Sequence, residues 1–159
     1  MPAGGARRRD GGEIGRAPSR VVRNAGGAAG VDLPEITITH EDLAVLTRVI
    51  REAVAEGRYS AAARLGNELH RARIVPAGHA PAGCLALNRA GRYLEERSGA
   101  VRDVVLVSGR GRSSSGLVSV LSRVGTALIG LSEGQAMGWL DPRGKPRVIR
   151  LLKVEPGAG

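Results

Sequence analysis

The run LVSVLSRVGTALIGLSEGQAMGWLDPRGKPRVIRLLKV, residues 117–154, decides the fold. Val118, Val120 and Leu121 supply the β-branched and apolar side chains of a strand. Gly125 and Gly130 then bracket a helical turn with Val124, Ala127, Leu128 and Ile129 on its apolar face. Glu133 and Gly134 form a turn. Met137, Trp139 and Leu140 lead into Asp141-Pro142-Arg143-Gly144, where proline in second place and glycine in fourth suit a type I turn, and residues 147–154 return as a partner strand. A hairpin closing a small antiparallel sheet, with one short helix, is the expected outcome.

Upstream, the periodicity predicts further strands at residues 84–88, 92–97 and 101–107, with a turn at Ser98-Gly99. Residues 109–116 (GRGRSSSG) read as a mobile hairpin loop. A phosphate-binding loop would need its glycines and a Lys-Ser or Lys-Thr pair to run into a helix, whereas this stretch runs into the Leu117 strand.

Residues 35–75 change character. A short strand-like entry at residues 35–38 precedes Thr39 and Asp42, a near capping box at the start of a helix. Leu43, Leu46, Val49, Ile50, Ala53 and Val54 recur at helical spacing up to Gly57, where the helix should stop. Ser60 can cap a second helix that carries Ala62, Leu65, Leu69 and Ala72 on one face. The two make a short antiparallel hairpin, and the Pro-, Gly- and Ala-rich residues 76–82 make a linker. Residues 1–34 hold few large apolar side chains and cannot offset the entropy of ordering, so a disordered Gly/Ala/Arg-rich tail is expected there. The fold class is therefore α+β: tail (1–34), helical hairpin or short coiled coil (35–75), linker (76–82), and a β domain with one short helix (83–155).

Composition narrows the function. The chain has 159 residues, no Phe, two Tyr and one Trp, so its core must be aliphatic and neither base stacking nor an aromatic-walled pocket is available. The net charge of +9 is uneven: residues 1–34 contribute +3, residues 35–75 balance to zero and residues 76–159 contribute +6. That surplus fits an acidic partner, either nucleic acid or an acidic protein face, and fits equally a solubilising surface. Arg7, Arg8 and Arg9 with Arg89, Arg92, Arg110 and Arg112 are the candidate phosphate contacts, so a nucleic-acid-binding (DNA-binding) module is one reading. Arg7–Arg9 also read as a solvated tail or as sequence ahead of the true translation start. Their leader has the Arg-rich, acid-poor bias of an organellar transit peptide, but its glycines oppose an amphipathic helix.

Familiar catalytic arrangements are missing. His40, His70 and His79 have no partners at metal-ligand spacing, and Glu95-Glu96 reads as an edge device on a strand. Cys84, the single cysteine, reads as a small buried hydrophobe and excludes an intramolecular disulfide, which agrees with a reducing compartment. No apolar run is long enough to span a membrane. A cytoplasmic monomer without cofactor or metal is expected, and not an enzyme.

With these residues in view, the chain resembles the bacterial Gre transcript-cleavage factors and their shorter relative Rnk, the regulator of nucleoside diphosphate kinase. Residues 118–135 (VSVLSRVGTALIGLSEGQ) are similar to the family pattern of strand, Ser-Pro, Gly, Ala-Leu-Ile/Leu-Gly and Gly-Asp, and the helical hairpin matches by architecture. Two positions depart from it: Arg123 stands where Pro is usual, and Gln135 where Asp is usual. The resemblance implies a C-terminal domain like the FK506-binding fold. It also implies docking at the rim of the RNA polymerase secondary channel through Leu121, Ser122, Arg123 and Val124; the same four residues also read as a strand end and helix entry needed only for folding. Cleavage factors place two acidic residues at the coiled-coil tip to help hold Mg²⁺. Here the tip reads Glu56-Gly57-Arg58-Tyr59, one carboxylate beside an arginine. A helix of some 16 residues spans only about 24 Å. Rnk, with its short hairpin, is the closer likeness. The expected role is an RNA polymerase-binding regulator of transcription elongation without cleavage activity, with at most weak nucleic-acid contact.

Overall fold

The computed structural model describes residues 33–111 and 115–156. Residues 1–32 of the expected tail (1–34) and the candidate contacts Arg7, Arg8, Arg9 and Arg112 lie outside the described residues.

Strand β1 (Thr37–Thr39) runs directly into helix α1 (His40–Ala55), and the chain reverses into α2 (Tyr59–Arg71) and leaves through β2 (Arg73–Val75). β1 and β2 pair in parallel, with Ile38 opposite Ile74, so the base of the helical hairpin is tied by its own two-stranded ladder. Thr39 caps α1 as its sequence position predicts: its side chain accepts from the Asp42 amide at 3.1 Å. The box is not reciprocal, however, because the Asp42 carboxylate accepts from the Leu87 amide at 3.1 Å, a tertiary contact 45 residues away in sequence. Gly57, at φ +80°, ends α1 as expected, and the Arg58 amide donates back to Ala53 O. That bond turns the chain so early that α2 begins at Tyr59. Arg58 takes the cap position without a side-chain bond, and Ser60 falls inside the first turn instead of capping it.

The second half is a five-stranded sheet in the order β5-β4-β3-β7-β6, built from β3 (Ala90–Glu95), β4 (Ala100–Val107), β5 (Leu117–Ser119), β6 (Ala136–Leu140) and β7 (Pro146–Val154), with α3 (Arg123–Leu128) between β5 and β6. The β6–β7 turn is the one read from sequence: Gly144 N donates to Asp141 O, and the Asp141 carboxylate accepts from the Arg143 and Lys145 amides. Neighbouring strands are antiparallel with one exception, since β5 pairs with β4 in parallel. β4 and β5 are therefore not the two arms of the hairpin expected of the stretch between them.

Two other expectations change. Residues 84–88 form no strand: Cys84 makes an isolated bridge to Ser132, and Leu85 exchanges backbone hydrogen bonds with Leu131 and Gly130. Leu85 is completely buried, and its backbone pairs with residues 130 and 131 instead of with a strand of the sheet. Glu95 and Glu96 lie at the end of the central strand, not at an edge, and bind Arg147 (3.0 Å) and Arg150 (2.8 Å) of β7.

Apolar residues of the hairpin (Leu46, Val49, Ala53, Ala62, Leu65) and of the inner sheet face (Tyr93, Val104, Leu106, Ile149, Leu151) belong to a single buried cluster with Leu128 and Ile129 of the α3 region. Each fully buried Leu or Ile contributes on the order of 2 kcal/mol relative to exposure. The hairpin is thus packed against the sheet half. Gly130, at φ +78°, makes that contact possible: a Cβ there would sit 3.0 Å from Ile36 Cβ and Thr37 O.

Candidate functional site

The residues singled out for docking, Leu121 to Val124, occupy the corner between β5 and α3. Ser122 caps α3, its Oγ accepting from the Gly125 amide at 3.0 Å while donating to Ser119 O at 2.7 Å. Thr126, buried one turn later, donates from Oγ1 to Val120 O at 2.6 Å. The Leu121 amide donates to Ser119 Oγ at 3.1 Å. Gly125 is required by proximity, since a Cβ at this position would run into the Ser119 carbonyl. Every one of these bonds is local, so the corner is held in one shape.

The four residues are not equivalent. Leu121 is 6% exposed and belongs to the core, Val124 is half-buried, and Ser122 and Arg123 face solvent. The corner also touches the hairpin, because Arg64 of α2 donates from Nη2 to Leu121 O at 3.0 Å. Sequence reasoning did not single out Arg64. No local pattern marks it, since its neighbours at helical spacing include Ser60, Asn67, Glu68 and Arg71, an ordinary polar face.

At the hairpin tip, Glu56, Gly57, Arg58 and Tyr59 are all exposed, Tyr59 at 66%. Glu56 and Arg58 pair at 3.6 Å. The pair faces Ser108, Gly109 and Arg110 across a cleft of about 400 Å³, which brings Arg110, a sequence-predicted phosphate contact, opposite Glu52 and Glu56. Among the described residues no group of three or more His, Cys, Asp or Glu side chains is placed to hold a metal ion. No helix among them is long and apolar enough to cross a membrane.

Much of the basic surplus is locally engaged. Arg92 binds Asp103 at 2.8 Å, Arg97 binds Asp141 at 3.5 Å, and Arg147 and Arg150 bind Glu95 and Glu96. Arg147 also lies over the Trp139 ring, 5.8 Å from its centroid. Cys84 sits under β1, its thiol directed at Thr37 O and Gly130 O, and burial pushes its pKa up, which keeps it protonated and unreactive.

Comparison with known proteins agrees with this geometry. Residues 34–75 match the family model of the Rnk N-terminus. The solved structure of a prokaryotic transcription elongation factor GreA/GreB from Nitrosomonas europaea is 27% identical, superposes with a TM-score of 0.60, and aligns over 77% of this chain and 99% of its own. GreA factor homolog 1 (Gfh1) of Thermus thermophilus is 18% identical over 77% of this chain and 100% of its own, with a TM-score of 0.38. Gfh1 of Thermus aquaticus is 16% identical over 77% and 99%, with a TM-score of 0.40. No curated protein sequence matches the chain.

Proposed function

From the premise that this chain is a Rnk-like member of the GreA/GreB family, we propose that it is an RNA polymerase-binding regulator of transcription elongation that docks through its β5–α3 corner and does not stimulate transcript cleavage. The observation that carries the reading is the likeness to the Nitrosomonas elongation factor across nearly that protein's whole length. The corner supports it as well. Ser122 and Arg123 stand exposed on a backbone held by local hydrogen bonds, so docking there would order little backbone and lose little entropy. The tip supports the absence of cleavage, since one carboxylate paired to a guanidinium leaves few oxygens for a hard cation. Of the candidate phosphate contacts, Arg92 is held in an ion pair with Asp103, which weighs against that residue as a phosphate ligand.

The test is copurification of core RNA polymerase with the tagged full chain, in lysate treated with nuclease. Capture should survive nuclease and fall in the Ser122→Asp variant while its thermal transition is retained, because Asp also serves as a helix cap. Undiminished capture by the folded variant would move the docking surface elsewhere.

A further inference from the structure

A second cleft, of about 590 Å³, runs between α2 and the α3–β6 side of the molecule. Ala63, Ala127, Met137, Trp139 and Leu140 give it apolar walls, and Arg64 and Arg123 bring two guanidinium groups to it. Among the described residues those cations lack an anion. Arg64 makes one hydrogen bond, to Leu121 O, and its Nε is buried without a partner. Neither Arg64 nor Arg123 forms an ion pair among the described residues. Glu68 also lines the cleft, but Arg71 binds its Oε1 at 2.6 and 3.1 Å while donating to Pro34 O. Burial, and then repulsion from Arg123, holds the Arg64 guanidinium below the usual arginine range. A partly buried cation with an unsatisfied donor beside a second cation is a costly arrangement that a carboxylate would relieve through charge-assisted bonds.

We propose that this cleft is a docking site for an acidic protein segment, with an Asp or Glu carboxylate bridging Arg64 and Arg123 and a neighbouring apolar side chain resting on Ala127, Met137 and Leu140. The chemistry favours protein over nucleic acid. The single aromatic ring among the residues that line it, Trp139, is buried and already carries Arg147 over it, so bases have no free platform on which to stack, while Ala63, Ala127, Met137 and Leu140 offer aliphatic surface to a side chain. The inference rests on the docking reading above, because Arg123 belongs to both surfaces, and it supplies the chemistry of the partner segment.

An array of short overlapping peptides covering the RNA polymerase subunits, probed with the full chain, tests it. The captured peptides should carry Asp or Glu beside apolar residues. Capture should fall about tenfold or more in Arg64→Met and in Arg123→Gln, and equally when the peptide's acids are replaced by Asn and Gln. Arg123 is exposed, so its variant keeps the test valid if Arg64→Met loses its fold. No captured peptide, capture that ignores these substitutions, or a short oligonucleotide that displaces the peptides would each overturn the cleft assignment. Failure of the docking reading is separately visible, as intact polymerase that is not retained by the parent chain.

Discussion

The β5–α3 corner and the α1–α2 tip are both short reversals, built on opposite plans. At the corner, Ser119, Ser122 and Thr126 tie successive backbone groups together, and Gly125 lets the helix start close against the strand. At the tip, four exposed residues share one ion pair at 3.6 Å, between side chains that are about half exposed, an interaction that contributes a few tenths of a kcal/mol at most. The contrast teaches where recognition can be fixed by shape. A corner that cannot relax presents Arg123 in one place, whereas the tip can change its residues with little effect on the fold and has no arrangement of oxygens to hold a metal.

The largest effect should come from Gly125→Ala. The added methyl meets the Ser119 carbonyl, and the corner must open, at a cost of about 3 kcal/mol in urea unfolding. A variant as stable as the parent would show that the corner is looser than the hydrogen bonds imply. Thr126→Val keeps the shape but leaves Val120 O buried without its donor, for a loss of about 1–3 kcal/mol. Ser122→Ala removes the cap and should lower stability by about 1 kcal/mol, with Ser122→Asp close to the parent.

Asp42 supplies a pH-dependent comparison between the two halves, since it joins α1 to Leu87. Its carboxyl is held above the usual range, mainly by burial, with Glu41 adding to the rise and the Leu87 amide and Arg89 opposing it. A raised folded-state pKa means that this group's contribution is fully present below its unfolded pKa and is lost as pH rises through the folded value. Asp42→Asn, whose amide oxygen can still accept from Leu87, should therefore gain stability relative to the parent at neutral pH, read as a higher urea midpoint. The gap should close as the pH falls toward 4. A gap that widened in acid would reverse the assignment.

The smallest effects belong to the tip. Glu56→Ala and Arg58→Ala should each shift unfolding by no more than a few tenths of a kcal/mol. In a stalled transcription complex the parent and Glu56→Ala should release RNA at the same unstimulated rate across magnesium concentrations. Stimulation by the parent that Glu56→Ala abolishes would transfer the functional role from the corner to the tip.

Local signals account for what could be read in advance. Residues 141–144 made their turn, Gly57 ended α1 and Thr39 capped it, because each depends on neighbours within four positions. The helical hairpin is legible from apolar spacing alone, and the family model matches that same stretch. Ser60 was misjudged because the Arg58 amide bond to Ala53 O restarts the helix early, and residues 84–88 because alternation cannot say which ladder a segment will join.

The sequence by itself determined the mixed helix-and-strand order, the aliphatic core and the poverty of the tip in carboxylates, all of which follow from residue type and short-range spacing. Tertiary structure alone decided that β5 lies parallel to β4, that Asp42 serves Leu87, and that Arg64 meets Arg123 over an apolar cleft. These are pairings between residues 12 to 59 positions apart. Which of many chemically similar partners a strand edge, a carboxylate or a guanidinium finally meets is settled by the packing of the whole chain, which no local pattern records.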